Sequence, residues 1–211
     1  MKIEIRNLCK KFNSNLVLDH INLTLEEGKI YGFVGRNGSG KTMLFNAICG
    51  FITPTSGEII VNDINITQKN IFPMDTRSLI ENPKFIPTLS GYKNLELLAS
   101  ICNIISQKEI NETLKNVDLF EEKDKEVVKY SLGMKQKLGI AQVLMENPSI
   151  MIFDEPFNGL DLESAEKIRK ILQLERNKGK LILIATHIKE DVDKLCDEVY
   201  KLDNGKIVGN N

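Results

Sequence analysis

Eight residues, Gly35-Arg36-Asn37-Gly38-Ser39-Gly40-Lys41-Thr42, constrain what the rest of this chain can fold into. They follow the pattern G-x-x-x-x-G-K-[S/T], which needs a strand before it and a helix after it. Lys29 to Val34 is a short apolar run with β-branched and aromatic residues and reads as a buried strand. Met43-Leu-Phe-Asn-Ala-Ile-Cys49 follows with helical patterning. In that context the glycines let the main chain approach phosphate oxygens that a Cβ would hold off. Successive N–H groups point inward, and the positive end of the helix dipole adds to the field. Lys41 is then expected to reach the β- and γ-phosphates of a nucleotide, and the Thr42 hydroxyl to bind Mg²⁺. An ordinary glycine-rich turn is the competing reading, so a second motif must decide.

Bulk properties narrow the field. The 211 residues suffice for one well-buried domain with a subordinate lobe, not for two full domains. With 28 basic and 29 acidic residues the net charge is −1, so no global field draws the chain to nucleic acid or anionic lipid. No apolar run approaches the roughly 18 residues a membrane helix needs. The N-terminus alternates as a strand through Ile3 and Ile5 rather than opening with a basic-then-apolar signal. Cys9, Cys49, Cys102 and Cys196 are scattered, with no C-x-x-C, and read as reduced packing residues. A cytosolic α/β domain is expected.

Along the chain, Lys2 to Leu8 and His20 to Leu25 alternate as strands, with Lys10 to Asn15 as a polar turn between them. Glu58 to Val61 is another strand after Thr53-Pro-Thr-Ser-Gly57. From about residue 82 the patterning turns helical. Ser90 is placed to cap a helix through Cys102, with Leu95, Leu98, Ala99 and Cys102 on one face. Lys108 to Val117 is a second helix, and Ser131 caps a third running to about Glu146. Strand–helix alternation then returns: Ser149 to Phe153, the helix Ser164 to Lys178 closed by Gly179, and Leu181 to Ala185. Asp203-Asn-Gly205 marks a final hairpin. This predicts a largely parallel sheet with an antiparallel β portion attached.

The second motif is Asp154-Glu155, which ends an apolar strand. In open α/β sheets, ligands sit outside the carboxyl ends of the strands, so this pair and the glycine-rich loop can close on one site. Asp154 is expected to hold Mg²⁺ opposite Thr42, and Glu155 to orient or deprotonate an attacking water.

With these motifs in place, the sequence resembles the nucleotide-binding domain of ATP-binding cassette transporters over essentially its whole length. Tyr130 to Met134 stands where the family's signature L-S-G-G-Q opens a helix. Ser131 and Gly133 are kept, Leu132 replaces the first glycine and Met134 the glutamine. Asn158-Gly-Leu-Asp161 looks like the D-loop, Thr186-His187 like the H-loop, and Glu81 falls where the Q-loop glutamine usually sits. The resemblance implies a P-loop NTPase core (1–81 and 147–211) with a mixed, largely parallel sheet and an antiparallel β subdomain. It also implies an inserted α-helical subdomain (about 82–146).

The family assigns roles by position. Gly35 to Met43 would cradle ATP, with Lys41, Glu155 and His187 catalytic and Thr42, Asp154 and Glu81 on Mg²⁺. Phe12 resembles the aromatic that stacks on adenine, with Val17 beside it. His20 has no such context and reads as structural. Ser131 and Gly133 would grip the γ-phosphate of ATP bound by a second subunit, making a homodimer or heterodimer. The partner implied is an integral membrane permease docking around Glu81 to Tyr92, with the chain on the cytoplasmic face of the membrane and no nucleic acid involved. Ile80-Glu-Asn-Pro83 and Ser131-Leu-Gly-Met134 resemble cassettes that export drug, peptide or lipid-like substrates. Two alternatives stay open: a soluble ATPase of the same type without a membrane partner, and a weakly hydrolysing nucleotide-gated regulatory module.

Overall fold

Two long strands, β1 (Lys2–Phe12) and β2 (Asn15–Glu26), pair antiparallel from Lys2↔Glu26 to Phe12↔Asn15 in the computed structural model. It describes residues 1–69 and 71–210, with side chains at all of these except 69 and 210. The predicted turn over Lys10 to Asn15 is therefore shorter than expected. The ladder pairs Lys10 with Leu18 and Lys11 with Leu16, leaving only Asn13 and Ser14 to reverse the chain, with Asn13 at φ 52°. A bulge sets Cys9 against both Asp19 and His20, and His20 takes φ 52° there. The His20 ring pairs with Asp19 (Nδ1···Oδ1 2.5 Å), whose other oxygen accepts from Lys206 Nζ at 3.1 Å. β4 (Ser56–Val61) and the two-residue β5 (Ile64–Asn65) complete a sheet of order β2-β1-β4-β5, and the short helix α2 (Ile66–Lys69) follows.

The second sheet carries the site. It comprises β3 (Ile30–Val34), β6 (Thr76–Leu79), β7 (Ile150–Asp154), β8 (Leu181–Ala185), β9 (Glu198–Asp203) and β10 (Lys206–Asn210). The order is β10-β9-β3-β8-β7-β6, parallel throughout except for the β9–β10 hairpin. The fold class is therefore the one the sequence implied. β6 was not among the strands expected from the sequence; its register Thr76↔Ile150 to Leu79↔Phe153 places it on the sheet edge.

β7 and β8 are buried at every residue because both sheet faces are covered. Alternation sends Ile150, Ile152, Leu181 and Leu183 into one core with the β1–β2 sheet and α1 (Lys41–Ile48). Met151, Phe153, Ile182 and Ile184 enter a second core under α3 (Gly91–Cys102), α4 (Gln107–Asn116), α5 (Leu132–Leu144) and α6 (Leu162–Asn177). In the first core Phe33 meets Phe45 edge-on at 5.3 Å and stacks on Tyr200 at 5.6 Å. Each such ring contributes about 1.5–3 kcal/mol by burial, which anchors α1 beneath the loop it begins.

Helix starts follow their caps. Ser90 accepts from Lys93 N–H at 3.2 Å, Ser131 from Met134 N–H at 3.2 Å and Asp161 from Ser164 N–H at 2.7 Å. Each is worth about 1 kcal/mol. Asp161 starts α6 two residues ahead of the predicted Ser164. α7 (Lys189–Leu195) was not anticipated. Cys102, expected on the apolar face of α3, is exposed because the helix ends there and Asn103 turns left-handed at φ 52°.

Burial pushes the thiols of Cys49 and Cys196 up to about 12. Since the thiolate is the nucleophile, brief treatment with iodoacetamide at neutral pH should label Cys102 well before either of them. Peptide mass mapping checks this; equal labelling of Cys49 and Cys102 would contradict the packing described.

Candidate functional site

β3 delivers the chain into the glycine-rich loop, and Gly40 caps α1 at φ 107°, a conformation costly for any residue with a Cβ. A Cβ on Gly35 would lie 2.4 Å from Leu202 O and 2.6 Å from Ser39 Oγ. The Ser39 hydroxyl is itself buried with no hydrogen-bond partner among the described residues, as fits a loop shaped to receive external oxygens. The β9–β10 turn braces the loop from behind: Gly205 N–H donates to Ser39 O at 2.9 Å. Gly205 sits at φ 75°, and a Cβ there would meet Val17 O at 2.4 Å. Lys41 is 6% exposed; its Nζ donates to the carbonyls of Gly35 at 2.7 Å and Arg36 at 3.3 Å. The ammonium is thus folded over the concavity and held by weak neutral acceptors.

Beside the loop lies a cleft of about 480 Å³. Its walls include Asn37, Gly38, Gly40, Lys41, Thr42 and Met43 from the loop and α1, with Val17 from β2. Opposite stand Glu81, Asp154 and Glu155. The Thr42 hydroxyl donates to Asp154 Oδ2 at 2.6 Å, which joins the two motifs across 112 residues. Burial pushes the Asp154 carboxyl above the usual aspartate value, Glu155 and Glu81 push the same way, and the Thr42 hydrogen bond and Lys41 charge oppose them. Glu155 takes φ 52°, its N–H donating to Ala185 O at 2.8 Å. Its Oε1 lies 2.9 Å from His187 Nδ1. A hydroxyl and carboxylates are hard oxygen donors, the set Mg²⁺ prefers, so these residues fit that ion. Glu81 is exposed at φ 60°, at the cleft mouth.

Other expected residues stand apart. Phe12 is 47% exposed, outside the cleft wall, with Lys10 Nζ 4.8 Å from its ring centroid. Lys10 is tethered to Thr53 O at 2.6 Å. Arg36 is exposed, and of its contacts the backbone carbonyl serves the loop. Ser131 is exposed at the start of α5 and Gly133 lies against Gly159, where a Cβ would be 2.7 Å from the carbonyl; neither lines the cleft. Three amides that do line it, Asn82, Gln136 and Asn158, had been given no role at the site, although Asn158 opens the segment that resembles the D-loop. Each neighbours a recognised motif, and that adjacency was the available signal.

Residues 18–158 match the ABC transporter family, so the chain belongs to that family as an ATP-binding subunit and is an ATPase. Among its relatives, the ABC transporter ATP-binding protein YybJ of Bacillus subtilis is 40% identical over 97% of this chain and 94% of that protein. The bacitracin transport ATP-binding protein BcrA of Enterococcus faecalis is 37% identical over 98% of this chain and 68% of its own length. A solved ATP-binding subunit of an ABC transporter superposes with a TM-score of 0.90 at 25% identity, over all of this chain and 90% of that one.

Proposed function

We propose that this chain is the energy-coupling half of an exporter: two nucleotide domains close on two Mg-ATP molecules and drive a separately encoded membrane permease. The observation that carries the reading is the split between the cleft and the Ser131 end of α5. The loop, Asp154 and Glu155 line one cleft, with His187 reaching it only through its contact with Glu155, while Ser131 and Gly133 lie outside its walls. They are therefore free to complete a second subunit's site, and a second subunit's pair completes this one.

In that arrangement the Gly35–Met43 backbone and Lys41 hold the phosphates, and Val17 and Phe12 flank the adenine. Lys10 covers one face of Phe12, leaving the other for stacking. Thr42, Asp154 and Glu81 would hold Mg²⁺, which when bound neutralises charge on the β- and γ-phosphate oxygens. Glu155 takes a proton from the attacking water, and His187, beside it, bonds the γ-phosphate. The γ-phosphate favours the closed dimer, so its loss reopens it. The domain division follows: 1–81 and 147–211 form the core and 82–146 the lobe facing the permease. No helix among the described residues is long and apolar enough to cross a membrane; in this reading the chain works from the inner face through its permease partner. The bacitracin transport relative and the Ile80–Pro83 and Ser131–Met134 variants support a drug, peptide or lipid-like export substrate.

Purification of the tagged chain from detergent-solubilised membranes of its native host should recover a multi-span membrane protein in fixed ratio. The complex should hydrolyse ATP faster when its transported molecule is added. Active ATPase found only in the soluble fraction, with no membrane protein attached, would favour the soluble alternative.

A further inference from the structure

Helix α5 touches each acidic loop of the cleft. Near its middle, Gly139 packs so tightly that a Cβ would lie 2.8 Å from Leu79 Cδ1 and 3.0 Å from Pro83 Cβ, beside Glu81. Its first turn rests on Gly159. Between these contacts sits Gln136, 3% exposed, whose side-chain Nε2 donates to the carbonyls of both Glu155 and Pro156 at 3.1 Å.

The peptide it grips is strained. Glu155 occupies the left-handed region at φ 52°, which a residue with a Cβ avoids and which persists only where surroundings over-determine it. Three hydrogen bonds hold it: its N–H donates to Ala185 O at 2.8 Å, and its carbonyl accepts from Gln136 Nε2 at 3.1 Å and, more weakly, from Asn158 N–H at 3.3 Å. Ala185 ends β8 and is fixed by the sheet. Gln136 is therefore the side-chain clamp, and a buried amide with two aligned acceptors is a rigid one. Without it only the longer Asn158 bond holds the carbonyl, so Glu155 can relax toward ordinary φ, which swings its carboxylate away from His187 and from the phosphate loop.

We propose that Gln136 is a positioning residue for Glu155, holding the strained peptide that aims the carboxylate at the attacking water. The inference rests on the reading of Glu155 given above. It makes α5 a strut whose N-terminal end carries Ser131 and whose buried face sets the chain's own catalytic glutamate.

Gln136→Met keeps the volume and removes the donor. In the full chain with Mg-ATP, kcat should fall between about tenfold and a hundredfold while KM stays within about twofold, because the phosphate cradle is built on β3 and α1. On a Glu155→Gln background the same change should add no further loss, since both act through one carboxylate. Gln136→Leu, which also lacks a donor, should reproduce the effect and carries the test if circular dichroism shows the methionine variant unfolded. An unchanged kcat, a KM that rises in step, or a loss that multiplies with Glu155→Gln overturns the proposal. If Glu155→Gln alone leaves turnover intact, the role of Glu155 fails instead, so the two failures are distinguishable.

Discussion

Replacing Lys41 by alanine should weaken ATP binding by about a hundredfold or more, measured by calorimetric titration with Mg-ATP. Hydrogen bonds to charged partners contribute about 1.5–3 kcal/mol each, and two phosphate oxygens lie within reach of one ammonium. The gain is not the full sum. Nζ is held by the carbonyls of Gly35 and Arg36, so phosphate contacts exchange those bonds rather than adding to them. What remains is the difference between a neutral carbonyl and an anionic phosphate oxygen in a buried setting, about 3 kcal/mol for the pair. At 1.4 kcal/mol per decade that is roughly a hundredfold. ADP, which lacks the γ-phosphate, should lose less. Alanine also frees the two carbonyls at the mouth of a solvated cleft, where water replaces the ammonium, so the fold should survive. Affinity for ATP within about threefold of the original would remove Lys41 from the phosphate cradle.

How much of this was legible before the structure depends on the range of each interaction. The glycine-rich loop and its strand are contiguous, so pattern and chemistry coincide at Gly35–Thr42. Ser90 and Ser131 were readable as caps because a cap bonds within three residues. The continuous apolar runs of β7 and β8 announced burial on both faces. Non-local relations were invisible. Gln136 bonds residues 19 and 20 positions away, and nothing in the periodicity of α5 marks it apart from an ordinary polar helix residue. α7, Lys-Glu-Asp-Val-Asp-Lys-Leu, has too few apolar residues to announce itself. It is tied to the fold through buried Asp191, which accepts from Arg169 Nη2 at 2.5 Å and Thr186 Oγ1 at 3.3 Å. The overlong turn at Lys10–Asn15 fails for a related reason: lysines and asparagines read as loop, yet a long partner strand recruits them into the ladder. Glu155 and Glu81 both adopt positive φ, which no sequence pattern for a glutamate suggests. Among the described residues, the positive-φ positions that are neither glycine, asparagine nor aspartate are His20, Glu81 and Glu155, and two of these three line the cleft, where the backbone is shaped for chemistry.

Glu155→Gln should lower turnover by about a hundredfold to ten-thousandfold, the usual range for removing a general base, while leaving ATP bound. Glutamine matches glutamate in shape and keeps an oxygen to meet His187, so the contacts around position 155 can persist. What it loses is the ability to accept a proton and one negative charge beside Asp154 and the γ-phosphate. Losing that charge relieves repulsion, so affinity for ATP should hold or rise. The larger consequence concerns assembly. If Ser131 and Gly133 grip the γ-phosphate of the neighbouring subunit, ATP that cannot be hydrolysed keeps both composite sites closed. Light scattering after size exclusion should then show the 23.9 kDa chain at twice its mass in Mg-ATP and at its single mass in Mg-ADP. The contrast between nucleotides is the discriminating part. A dimer formed equally in both would owe nothing to the γ-phosphate, and a monomer at saturating Mg-ATP would mean that the cleft is complete without a second chain. Either result leaves the phosphate loop intact and removes Ser131 and Gly133 from the site.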